Sequence, residues 1–79
     1  MILPNKLIPY NKSILAKMIY ILDMLILGDE HLEILYNKIK DNFEDINQYI
    51  LTLDVLFSLE KIQIDEELKV LKYVKTDNL

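Results

Sequence analysis

From Phe43 to Val74 the chain contains neither glycine nor proline, and within that run its apolar spacing changes from helical to alternating. Ile46, Tyr49, Ile50, Leu53, Leu56 and Phe57 recur at intervals that place them on one side of a helix. Ile62 and Ile64 then alternate with polar residues, the period of a strand. Asp65-Glu66-Glu67 interrupts the apolar run as a solvated turn, and Leu68 to Val74 resumes it as a second strand. A helix that leads directly into a hairpin is the ending of a winged-helix-like domain. In such domains that helix is the usual DNA reader, and a reader needs cations to neutralise phosphates. Here the helix carries Glu44, Asp45, Asp54 and Glu60, with no lysine or arginine between Asp41 and Glu60. Its chemistry fits contact with protein.

With 79 residues the chain is expected to form a single domain, 1–79. A unit of this size hides only about 60% of its unfolded surface. Apolar residues make up 52% of the sequence, against one Gly and two Pro, which excludes a disordered chain. It also supplies more apolar surface than one small core can cover, so part of it is expected to be buried against a partner. The net charge is −4 and every cation is a lysine, a balance that disfavours nucleic acid and anionic membranes. With no cysteine, neither a disulfide framework nor a thiolate metal site can form. A cytoplasmic location fits this composition. Ile14 to Leu27 is apolar but contains Lys17 and Asp23 and is shorter than the roughly 20 residues that span a bilayer. A buried helix is expected there.

The N-terminal arm, 1–12, opens with MILPNKLI, in which Pro4 disfavours helix in the residue before it. Ile2, Leu3 and Pro4 are candidates for a partner contact, compatible with an extended strand beside the hairpin. Ser13 is placed to cap a first helix that ends at Leu27. Its apolar residues, from Ile14 to Ile26, fill an arc of about 160°, wider than the roughly 100° of a one-sided helix. Gly28 sits where a left-handed cap is expected and Asp29 where a second helix, Glu30 to Lys40, is expected to start. That helix turns Leu32, Leu35 and Ile39 inward, with Tyr36 at the edge. Asp41-Asn42 forms the turn to the third helix.

No arrangement of residues carries chemistry. His31 is the one histidine, beside Asp29, Glu30 and Glu33, but a metal needs three or four convergent ligands and no second His or Cys exists. It reads as an exposed residue at a helix start. The acidic turn lacks the spaced oxygens and glycine of a calcium loop, and one glycine cannot build a phosphate cradle. Neither cofactor nor metal nor catalytic residue is expected. The third helix does carry an anomaly. At about 100° per residue, Ile46, Ile50, Leu53 and Phe57 form the inward arc with Tyr49 and Leu56 at its flank. Leu51, Val55 and Leu59 form a separate line on the far side, beside Gln48 and Thr52. Either Leu59 turns inward at the helix end and Leu51 and Val55 are partly exposed, or Leu51 and Val55 meet a partner.

These residues resemble a known family. The run MILPNKLIPYNKSIL resembles the opening of the small middle components of bacterial ABC-three component systems, the group numbered type six. Leu51, Leu53, Asp54, Leu56, Phe57, Leu59, Ile62 and Ile64 match that family's later segment. Glu60 departs from it, standing where the family has glycine, and glutamate does not favour positive φ as glycine does. The resemblance implies an ABC or SMC-like ATPase and an effector encoded nearby, in a system related to Lamassu-type defence against phage and plasmids. It implies that the middle protein is a non-catalytic adaptor, with self-association open.

The expectation is therefore an α+β, winged-helix-like domain of three helices followed by a β-hairpin, with an N-terminal strand or arm. It acts as an adaptor through Ile2, Leu3, Pro4, Leu51 and Val55, without direct nucleic-acid or membrane binding. The rival is a small DNA-binding regulator or antitoxin of the same fold, whose only available cations are Lys69, Lys72 and Lys75 on the second strand. Lysines on a strand edge also serve to block unwanted pairing.

Overall fold

A computed structural model describes residues 13–75. The elements run α1 (Ile14–Leu27), β1 (Glu30–His31), α2 (Leu32–Ile39), a 3₁₀ turn (Lys40–Asn42), α3 (Ile46–Ser58), β2 (Ile62–Asp65) and β3 (Val70–Tyr73). The three strands form one antiparallel sheet in the order β1-β3-β2. The domain is α+β and winged-helix-like, as expected. The N-terminal arm, with Ile2, Leu3 and Pro4, lies outside the described residues.

Local chemistry sets the helix starts. The Ser13 side chain accepts a hydrogen bond from the Ala16 N–H at 3.2 Å, and α1 begins at the next residue. Asp45 does the same for α3, accepting from the Gln48 N–H at 2.9 Å, while Gln48 Oε1 reaches back to accept from the Glu44 N–H at 2.8 Å. This reciprocal pair satisfies two donors that have no partner within the helix. A wide apolar α1 is also present: Ile21 and Leu25 are buried, and Leu15, Ile19 and Ile26 remain exposed.

The sheet differs from the expectation in one strand. Glu30 and His31 do not open the second helix; they pair with Leu71 and Val70 of β3. Extended pairing at this point also explains Gly28, whose φ of 160° and ψ of 161° are extended and not left-handed. Its N–H still donates to the Leu25 carbonyl at 3.2 Å. With Glu30 and His31 in the strand, His31 becomes the cap of α2, and its Nδ1 accepts from the Glu33 N–H at 3.1 Å. His31 is half-buried, not exposed.

The junction of α3 and β2 is tight. The Glu60 N–H donates to the Phe57 carbonyl and the Lys61 N–H to the Leu56 carbonyl, each at 2.9 Å. These are the paired bonds of a Schellman termination, which needs a left-handed residue after the cap. Glu60 supplies it at φ 59°, so a glutamate holds a backbone conformation that glycine would adopt without strain. Val74 N–H then donates to the Lys61 carbonyl at 2.9 Å, tying β3 to the helix end. At the tip of the hairpin, Asp65 Oδ1 accepts from the N–H groups of Glu67 and Leu68 at 3.0 and 3.1 Å, closing the acidic turn.

The core joins Ile21 and Leu25 of α1, Leu35 and Ile39 of α2, Phe43, the inner face of α3, Ile62 of β2 and Leu71 of β3. Leu53 is 3% exposed and Leu56 fully buried, so Leu53→Ala is expected to cost about 2–5 kcal/mol, enough to unfold much of a marginal domain. A thermal melt indistinguishable from that of the unmodified chain would remove Leu53 from the core. In the opposite direction, Glu60→Gly is expected to stabilise by about 0.5–1 kcal/mol. Relief of the left-handed penalty of about 1–2 kcal/mol exceeds the extra unfolded-state freedom of glycine. Urea denaturation reads the difference, and a loss of stability would mean that the Glu60 side chain makes contacts worth more than its strain.

Candidate partner-binding site

The inward face of α3 is turned by roughly 80° from the arc expected at about 100° per residue. Tyr49, Thr52, Leu53 and Leu56 are buried, at i, i+3, i+4 and i+7. Ile46 and Ile50, expected in the core, are 47% and 40% exposed, and Phe57 is half-buried. Thr52, expected on the far side, is 0% exposed. Its hydroxyl donates to the Gln48 carbonyl at 2.8 Å, so the polar atom is satisfied within the helix and the methyl group is free to pack. That local satisfaction lets a threonine count as apolar, and it shifts the centre of the buried stripe.

Tyr49 accounts for the rest of the rotation. The ring is fully buried, lies 4.9 Å from the Tyr36 ring and meets the Phe43 ring edge-on at 5.4 Å. Its hydroxyl donates to the Leu32 carbonyl at 2.9 Å. A large aromatic with one polar atom packs centrally where that atom finds an acceptor. Burial raises the phenol pKa above its ordinary value, so Tyr49 remains a donor wherever other tyrosines do.

The outer surface of α3 is therefore apolar on two sides. Leu51 is 57% exposed, Val55 is half-buried and Leu59 is exposed at the helix end; Leu59 does not turn inward. On the other side Ile46 and Ile50 border a groove of about 380 Å³ against α2, with Leu32 and Tyr36 opposite and Tyr49 beneath. Asn47 and Asp54, exposed and seven residues apart, run between the two apolar lines.

Lys17 was legible only as a charge that breaks up an apolar helix. In the fold it is 5% exposed. Its Nζ donates to the Asn42 carbonyl and sits 5.7 Å from the Phe43 ring centroid and 6.0 Å from that of Tyr20. It fastens α1 to the end of the 3₁₀ turn through a charge-assisted bond flanked by aromatic faces. No sequence signal marks this, because the acceptor is a backbone carbonyl.

Among the described residues no group of three or more His, Cys, Asp or Glu converges as a metal site, and no helix is long and apolar enough to cross a membrane. Residues 3–71 match the family model described as ABC-three component system Middle Component 7. The chain belongs to that family. Its number is seven, where the motifs resembled type six. No curated protein and no solved structure matches this middle component. The match takes in Leu3 and Pro4 as well as α3, Leu51 and Val55, so the candidate contact residues other than Ile2 lie within the family's extent.

Tyr49→Phe in this middle component keeps the ring and removes the hydroxyl that donates to the Leu32 carbonyl. It is expected to cost about 1–2 kcal/mol in denaturant titrations. The pH dependence has a definite sign. The unfolded chain loses the Tyr49 proton near pH 10 while the folded chain, with its raised pKa, retains it. The contribution is complete below that pH and is lost as pH rises above it. Tyr49→Phe is expected to flatten this alkaline loss, and identical slopes in the two proteins would contradict the buried, protonated phenol.

Proposed function

We propose that this middle component is a non-catalytic, cytoplasmic adaptor that links the ABC or SMC-like ATPase of its system to the effector, within a bacterial complex acting against phage or plasmids. Membership in the middle-component family supports a role inside a multi-protein assembly. The observation that carries the reading is on α3. The helix that would lie on DNA in a nucleic-acid reader offers exposed Leu51, exposed Leu59 and half-buried Val55, with carboxylates and no cation. Apolar side chains there favour burial against protein, and carboxylates repel phosphate.

In this reading Leu51 and Val55 form the contact on one flank of α3, and Ile2, Leu3 and Pro4 add a second. Val55→Lys is expected to leave the isolated chain folded, since Val55 already borders water. It is expected to weaken the complex by more than about 2 kcal/mol, because a lysine would lose hydration against an apolar surface. Circular dichroism combined with co-purification of the neighbouring ATPase and effector tests both halves. A folded variant that still binds both components transfers the contact to Ile2, Leu3 and Pro4; an unfolded one makes Val55 a core residue.

The rival, a DNA-binding regulator, predicts the opposite electrostatics. Fluorescence anisotropy with duplex DNA at physiological salt is expected to show only weak binding without sequence preference. Sub-micromolar, sequence-dependent binding would replace the adaptor with the regulator.

A further inference from the structure

We infer that the groove between α2 and α3 docks an amphipathic, basic segment of a partner protein, at a site separate from the Leu51–Val55 flank. The inference rests on the adaptor reading and gives α3 itself a second surface. A protein that bridges two others needs two contacts that can be occupied together. On α3 the Asn47–Asp54 ridge divides the apolar residues in that way.

The groove is built in advance. Tyr49 forms its floor, held by the bond to the Leu32 carbonyl and packed at a tilt against Tyr36, so an incoming side chain meets a surface that need not be ordered first. Ile46 and Ile50 stand one helical turn apart on its edge, about 6 Å along the axis. That spacing suits two bulky apolar residues of a partner helix at i and i+4.

Charge selects the occupant. Glu33 lines the groove, Glu44 and Asp45 lead into Ile46, and Asp54 follows Ile50 by one turn. The ion pair between Lys38 and Glu30 involves none of them. An apolar segment flanked by lysine or arginine fits this rim. A second copy of the chain would bring the same carboxylates to the same place, and like charges across an interface oppose association.

The test uses the full chain with the purified ATPase and effector of its own system. Binding is measured by titration for the unmodified chain, Ile50→Lys, Glu33→Lys and Val55→Lys, each checked for folding by circular dichroism. Ile50→Lys and Glu33→Lys are expected to weaken binding to one component at least about tenfold, and that component is expected to remain bound to Val55→Lys. Added salt is expected to lower the affinity of the unmodified chain for it. Glu33 is exposed, so its variant keeps the test open should Ile50→Lys unfold. Folded Glu33→Lys binding both components as the unmodified chain does would overturn the groove's role and leave the adaptor standing. Self-association abolished by Ile50→Lys would also overturn it, by making the occupant a second copy. An unmodified chain that binds neither component would remove the adaptor reading and this inference with it.

Discussion

Both backbone polar groups of one residue, Leu32, are held at the middle of the domain. The N–H of Leu32 donates to the Lys69 carbonyl at 2.8 Å, and the carbonyl of Leu32 accepts from the Tyr49 hydroxyl at 2.9 Å. The first residue of α2 is thereby fixed to the hairpin on one side and to α3 on the other. Lys69 adopts a left-handed φ of 56° at the end of the turn, which aims its carbonyl at Leu32. Buried polar groups left without partners are costly, so this arrangement narrows where α2, α3 and the sheet can sit relative to one another.

That constraint shapes the outer surface as much as the core. Once Tyr49 points to Leu32, Thr52, Leu53 and Leu56 must follow it inward, because α3 rotates as a rigid rod. Ile46 and Ile50 are carried to the surface in the same motion. They border a groove on the α2 side, while Leu51 and Leu59 remain exposed on the opposite flank. A small domain cannot bury every apolar residue of such a sequence, and the hydrogen bond of Tyr49 decides which ones stay outside. The same rotation that completes the core thus leaves two apolar lines on the helix that would read DNA in a domain of this shape, without the cations a reader needs.

Glu60 shows how a strained position persists. The Schellman bonds at the end of α3 and the bond from Val74 to the Lys61 carbonyl over-determine the local backbone. A left-handed glutamate is held there despite its intrinsic cost. The tight helix-to-strand turn is therefore intact without a glycine.

Several features were set by local chemistry and were legible in order along the chain. Ser13 at the start of α1, the end of that helix at Leu27, the alternating Ile62 and Ile64, and the acidic hairpin turn each depend on neighbours within a few residues. The acidic character of α3 was legible for the same reason, since charge is a property of the residues themselves. β1 was not legible, because two residues of Glu-His carry no strand period and become a strand only when β3 offers its edge. The extended Gly28 follows from that pairing. The inward face of α3 was misplaced because helical spacing marks where apolar residues lie on a wheel but not which wide apolar arc meets the core. Tertiary structure decided it: a carbonyl on α2 captured the Tyr49 hydroxyl, Gln48 satisfied Thr52, and the helix turned to bury both.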